Sequence, residues 1–105
     1  MKRAEVLRLA EKCVCGGRDR DYGTPEDNFS TIAKLWTIYR GTTFTAKDVA
    51  MMMALLKIAR IRSGHYSADS YVDLAGYAAC ACEIAASTSV PLPVVPPAAS
   101  GGVNG

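Results

Sequence analysis

The sequence predicts an all-α, four-helix bundle-like domain followed by an extended C-terminal arm. Three observations carry that expectation. Four helix-length segments are each bounded by capping residues or glycines. Half of the residues are apolar, with much of that fraction Ala and Met and few aromatics, which suits close helix packing better than a β-sandwich. After Ser89, the run Val90-Pro-Leu-Pro-Val-Val-Pro-Pro cannot remain helical. The 105 residues suffice for one domain and are few for two, so the expected division is a helical domain over 1–88 and an arm over 89–105.

The first helix is expected over residues 3–14, with Val6, Leu7, Ala10, Cys13 and Val14 as its apolar stripe and Gly16-Gly17 as its stop. Residues 16–24 form a charged, Gly-rich connector. The second helix has the clearest start: Thr24 as N-cap, Pro25 at the first helical position, and Glu26 and Asp27 at the positive end of the helix dipole. Phe29, Ile32, Ala33, Trp36 and Ile38 or Tyr39 supply its buried side, and Gly41 ends it. Thr45 with Asp48 is close to a capping box, with Asp in place of Glu. This third helix runs to about Arg62, is apolar on nearly every side and reads as core. Ser63-Gly64-His65-Tyr66 makes a tight turn, and Ser67 caps a fourth helix that reaches about Ser87.

So short a connection makes the third and fourth helices antiparallel neighbours. Counted from Ser63, Lys57 lies six residues before and Asp69 six after, both roughly 9 Å along their helices from the turn. Lys57, Arg60, Asp69 and Asp73 therefore fall at similar levels. Asp48 is about 13 Å by helical rise from Lys57, at the far end of the pair. Charges on helices with no spare polar face form either internal salt bridges or a ligand site.

The net charge of +2 is too small to argue for nucleic acid as a partner, although Lys2, Arg3, Arg8, Lys12, Arg18 and Arg20 make the first twenty residues basic enough to concentrate an anion. Glu5, Arg8, Glu11 and Lys12 break any signal-peptide core, and no run reaches transmembrane length. The expected compartment is the cytosol, without a membrane partner. Cys13, Cys15, Cys80 and Cys82 stand in two Cys-x-Cys pairs, tighter than the usual zinc spacing. They are read as small buried apolar residues.

Two polar groups could do chemistry. Asp69 and Asp73, four apart on one helix face, could hold Mg2+ with substrate phosphates completing its shell, as a metal-dependent pyrophosphohydrolase requires. Asp19, Asp21 or Glu26 could approach from the connector. Alternatively, both aspartates satisfy Lys57 and Arg60. Those two cations share a helix side and could neutralise a phosphate, with Arg18 and Arg20 adding forked donors. Tyr22, Tyr66 and His65 could stack on a base, whereas Trp36 reads as core. Asn28, one turn into the second helix, is suited to a base edge or to a hydrogen bond between helices. Gly76 permits close approach of a ligand or of another helix.

Four segments carry a resemblance: Arg18-Asp-Arg-Asp-Tyr22-Gly23-x-Pro25-Glu26-x-Asn28-Phe29; Ile32-Ala-x-Leu-Trp36; Asp48-Val-x-Met-Met-Met-x-Leu-Leu-Lys57-x-Ala-Arg60; and Asp69-Ser-x-Val-Asp73-x-Ala-Gly76-Tyr77. Over roughly residues 5–85 the chain resembles an uncharacterised family of small phage and prophage proteins, which implies a phage or prophage origin and the cytoplasm of the bacterial host. More distantly it is similar to the all-α MazG-type nucleoside triphosphate pyrophosphohydrolases, which implies a Mg2+-bound nucleotide cleaved to a monophosphate and pyrophosphate. Asp73 matches the Asp of that family's second acidic motif. Its Glu partner falls at Ser70, with Asp69 one position earlier, and Lys57 and Arg60 stand where the first motif would place acids.

Three functions follow as expectations. One is a MazG-like hydrolase with Asp69 and Asp73 on Mg2+ and Arg18, Arg20, Tyr22, Asn28, Lys57 and Arg60 on the nucleotide. The second is a non-catalytic nucleotide-binding or sequestering protein using the same basic residues. The third is a structural or protein-interaction module whose charges only register helices. A homo-oligomer is expected under all three, with a nucleotide or other phosphorylated small molecule as the partner under the first two.

Overall fold

The computed structural model describes residues 1–16 and 23–87. Among them are four helices and no strand: α1 Arg3–Cys15, α2 Pro25–Arg40, α3 Ala46–Ser63 and α4 Ala68–Ser87. The expected all-α, bundle-like architecture is what the chain adopts. The proline-rich arm lies outside the described residues.

Local chemistry sets the helix ends where the sequence places them. Thr24 Oγ1 accepts from the Asp27 N–H at 3.1 Å, with Pro25 opening α2. Gly41 closes α2 with φ 70°, a left-handed conformation that glycine adopts without a Cβ penalty. The box at α3 is reciprocal: the Asp48 N–H donates to Thr45 Oγ1 at 3.1 Å, and the Thr45 N–H donates to Asp48 Oδ2 at 2.9 Å. At α4, Ser67 contributes its carbonyl, which accepts from the Ser70 N–H at 3.2 Å.

α3 and α4 form the most extensive helix pair, antiparallel across the short turn; α1 lies along α4, and α2 packs on α3 with a lighter contact to α4. The core joins Phe29 and Ala33 of α2, Val49 and Ala50 of α3, and Cys80, Ala81 and Ile84 of α4. It therefore sits between the start of α3 and the end of α4, where small side chains let the helices approach. Gly76 serves the same end on the other side of α4. A Cβ there would lie 3.2 Å from Val14 Cγ1 of α1.

Several burial expectations are corrected. Ile38 and Tyr39 are 79% and 85% exposed. Past Gly41 the chain folds back, and Phe44 meets Trp36 edge-on at 5.8 Å while its N–H donates to Thr37 Oγ1 at 2.8 Å. Phe44 thus takes the place that the last turn of α2 was expected to fill. Leu7 and Cys13 are exposed because α1 packs chiefly on α4, which covers a stripe centred on Ala10. α3 is only half core: Val49, Ala50 and Ala54 are buried, but Met51, Met52, Leu55, Leu56 and Ile58 are exposed. Of the cysteines only Cys80 is buried; Cys13, Cys15 and Cys82 are exposed.

Candidate functional site

Successive turns of α4 put Val72, Asp73, Gly76, Tyr77 and Cys80 along one side, the stripe expected of positions three and four apart. That side faces Cys13 and Val14 of α1, Asn28 and Phe29 of α2, and Gly23 and Pro25 just before and at the start of α2. Together they enclose a cavity of about 150 Å3. Gly76 keeps the space open, since a side chain there would protrude toward Val14. The Phe29 and Tyr77 rings stand 6.0 Å apart with 46° between their planes, so the cavity has an aromatic wall.

Among the described residues Asp73 brings the one carboxyl side chain to this wall, and Asn28 is an exposed amide across from α4. Lys57 of α3 reaches Asp73 with Nζ 2.9 Å from Oδ2; the lysine side chain is 13% exposed and the aspartate 39%. Asp73 therefore has a fixed direction and a neutralising partner, and keeps acceptor capacity for a second donor. An amide, a carboxylate and a pair of rings can orient a planar, hydrogen-bonding ligand.

The structure brings together only part of the expected constellation. Asn28 and Asp73 share the cavity, and Lys57 joins it through Asp73. Asp69 and Arg60 are exposed, do not line it, and have no ion pair among the described residues. The expectation put Lys57, Arg60, Asp69 and Asp73 at similar levels and left open which aspartate meets which cation. The turn spans residues 64–67 between the two helices, so the fold pivots near His65 and aligns Lys57 with Asp73. His65 and Tyr66 are exposed, and Tyr66 lies against Tyr71 at 6.1 Å. Arg18, Arg20 and Tyr22, like Asp19 and Asp21, lie outside the described residues.

Among the described residues the expected Mg2+ carboxylates are not brought together. Asp69 does not join Asp73 in the cavity, and no three His, Cys, Asp or Glu side chains among the described residues are grouped to hold a metal. Of the residues bordering the cavity, sequence reasoning had only Asn28, Asp73 and Gly76 near a ligand, and it missed Tyr77, Phe29 and the residues contributed by α1 and the start of α2. The available signal was Asp73 standing in an otherwise apolar stripe with Gly76, Tyr77 and Cys80, a polar group where core was due.

An all-α domain with a small, ring-walled cavity bordered by a carboxylate and an amide is the class that fold and site define. The chain belongs to the family described as Domain of unknown function (DUF6378), whose model matches residues 5–85. It is 50% identical over 74 residues to the Gene 55 protein of Mycobacterium phage L5, a match covering 70% of this chain and 47% of that protein. It is 41% identical over 75 residues to the Gene 55 protein of Mycobacterium phage D29, covering 71% of this chain and 50% of that protein. The chain thus spans about half the length of the curated relatives it matches. No solved structure matches it. No described helix is long and apolar enough to cross a membrane.

Proposed function

We propose that this phage protein binds a nucleotide, holding the base in the cavity between α1, α2 and α4, and does so without hydrolysing it. The observation that carries this reading is Asp73, fixed by Lys57 on the wall of an aromatic-lined cavity that Asn28 also borders. Size supports it: about 150 Å3 is well below the roughly 300–1,000 Å3 of pockets that enclose drug-sized ligands. It suits one planar ring system with sugar and phosphates outside. Asn28 can donate to and accept from a base edge, Asp73 can accept from an exocyclic amine or a ribose hydroxyl, and the Tyr77 and Phe29 rings give apolar cover. The basic connector residues Arg18 and Arg20 are the candidates for the phosphates. Hydrolysis fits less well because, among the described residues, the cavity wall offers one carboxylate, already paired with a lysine. The cytosol of the host is the compartment proposed for this activity.

The test is a thermal-shift and calorimetry panel of nucleosides, mono- and triphosphates, ribose and deoxyribose forms, with and without Mg2+. Expected is binding that depends on the base, is weakened about tenfold by Asn28→Ala, and releases no pyrophosphate. Mg2+-dependent pyrophosphate release would establish the hydrolase instead, and absence of binding across the panel would leave a protein-interaction module.

A further inference from the structure

α3 carries a second apolar face that nothing in the described chain covers. Met51 is 46% exposed, Met52 40%, Leu55 60%, Leu56 41% and Ile58 48%. This face borders the Ala50–Ala54 stripe that α3 buries against its neighbours, which Ile58 continues by one turn into the exposed side. Along the middle of this face stand Asp48, Met51, Leu55, Ile58 and Arg62, spaced alternately three and four residues apart. That spacing keeps one seam toward a facing helix, as in a coiled coil. The seam is acidic at its first position, apolar in the middle and basic at its last.

We propose that this face is the interface of a homodimer, with α3 of a second copy packed antiparallel across a two-fold axis at Leu55. Reversal about Leu55 places Asp48 of each copy opposite Arg62 of the other, because each lies seven residues from the axis. The surface is therefore complementary to itself, as an isologous interface requires. Asp48 Oδ2 accepts from the Thr45 N–H, and the carboxyl group keeps a second oxygen that can accept from the arginine. The helix dipoles also oppose. Met52 and Leu56, also exposed, extend the apolar surface along one side of the seam. This proposal stands apart from the nucleotide reading, since none of these residues borders the cavity.

Sedimentation equilibrium of the 105-residue chain, from micromolar to millimolar, reads the mass directly. A dimer is expected. Leu55→Glu is expected to give a monomer with unchanged far-ultraviolet circular dichroism, because Leu55 is outside the core. Should that variant lose its helices, Arg62→Glu provides the second reading: it sets two acids face to face and raises the dimer Kd about tenfold or more, and added salt narrows that gap. With the exposed Cys13, Cys15 and Cys82 replaced by Ser, Leu55→Cys is expected to form a disulfide-linked dimer on mild oxidation, whereas Lys34→Cys on α2 does not. A monomeric wild type, or a dimer unchanged by either charge substitution, overturns the proposal and assigns the face to another occupant.

Discussion

Lys57 and Asp73 share an ion pair of 2.9 Å but not an environment: the lysine side chain is 13% exposed, the aspartate 39%. The two halves of the pair are therefore unequal to lose. Asp73→Asn strands a mostly buried ammonium without its counter-charge, and the expected cost is about 1–2 kcal/mol. Lys57→Met leaves a carboxylate that water reaches and places an apolar side chain where the lysine stem packed, at an expected cost under about 0.5 kcal/mol. Urea unfolding midpoints at constant m-value measure the difference. Equal losses would show that the pair is solvated as a unit.

The box at the head of α3 gives a sharper local test. Thr45→Ala removes the acceptor for the Asp48 N–H and is expected to cost about 1 kcal/mol. Asp48→Asn keeps an acceptor for the Thr45 N–H but gives up the charge that favours a helix N-terminus, and is expected to cost less. Thermal unfolding of both variants against wild type decides the order.

What the sequence revealed of this fold was what neighbouring residues settle among themselves. Thr24-Pro25, Thr45 with Asp48, and Gly41 mark helix ends because each closes its hydrogen bonds within four residues. The burial of α3 was not legible, because a helix apolar on every side has no periodicity to say which side is covered. Nor were Ile38 and Tyr39, whose stripe continues that of Trp36 until Phe44 returns to occupy the space. The site was legible in part. Asn28, Lys57 and Asp73 stood out as polar groups, but which of Asp69 and Asp73 meets Lys57 depended on where the turn pivots, which residue counting left open. Cys13 and Val14 reach the cavity only through the packing of α1 on α4, which no local pattern encodes.

That packing is testable at Gly76. A methyl there would gain the helix propensity of alanine, about 1 kcal/mol, but would stand 3.2 Å from Val14 Cγ1, and a β-branched side chain in a helix has little rotamer freedom to yield. Overpacking typically costs about 1–3 kcal/mol, so Gly76→Ala is expected to lose about 1 kcal/mol net. Val14→Ala should then cost less in the Gly76→Ala background than in wild type, by roughly 1 kcal/mol of coupling in a double-mutant cycle. Strict additivity would mean that the two groups do not meet.

Tyr77 separates the binding role of the cavity from its structural one. Its ring packs near Phe29 at 6.0 Å, and it lies one turn beyond Asp73 on α4, beside the carboxylate proposed to meet the ligand. Tyr77→Phe preserves the ring and is expected to bind the preferred nucleotide within about twofold of wild type if the face of the ring is what the base contacts, since stacking uses the π-surface and not the hydroxyl. Tyr77→Ala removes that surface and is expected to weaken binding at least tenfold, in line with roughly 1–3 kcal/mol for stacking of a base on an aromatic side chain. Because the alanine variant also loses core contacts, its affinity is read by calorimetry well below its melting temperature, where the folded fraction is complete. A tenfold loss in Tyr77→Phe would shift recognition from the ring to the hydroxyl. Unchanged affinity in Tyr77→Ala would place the ligand elsewhere.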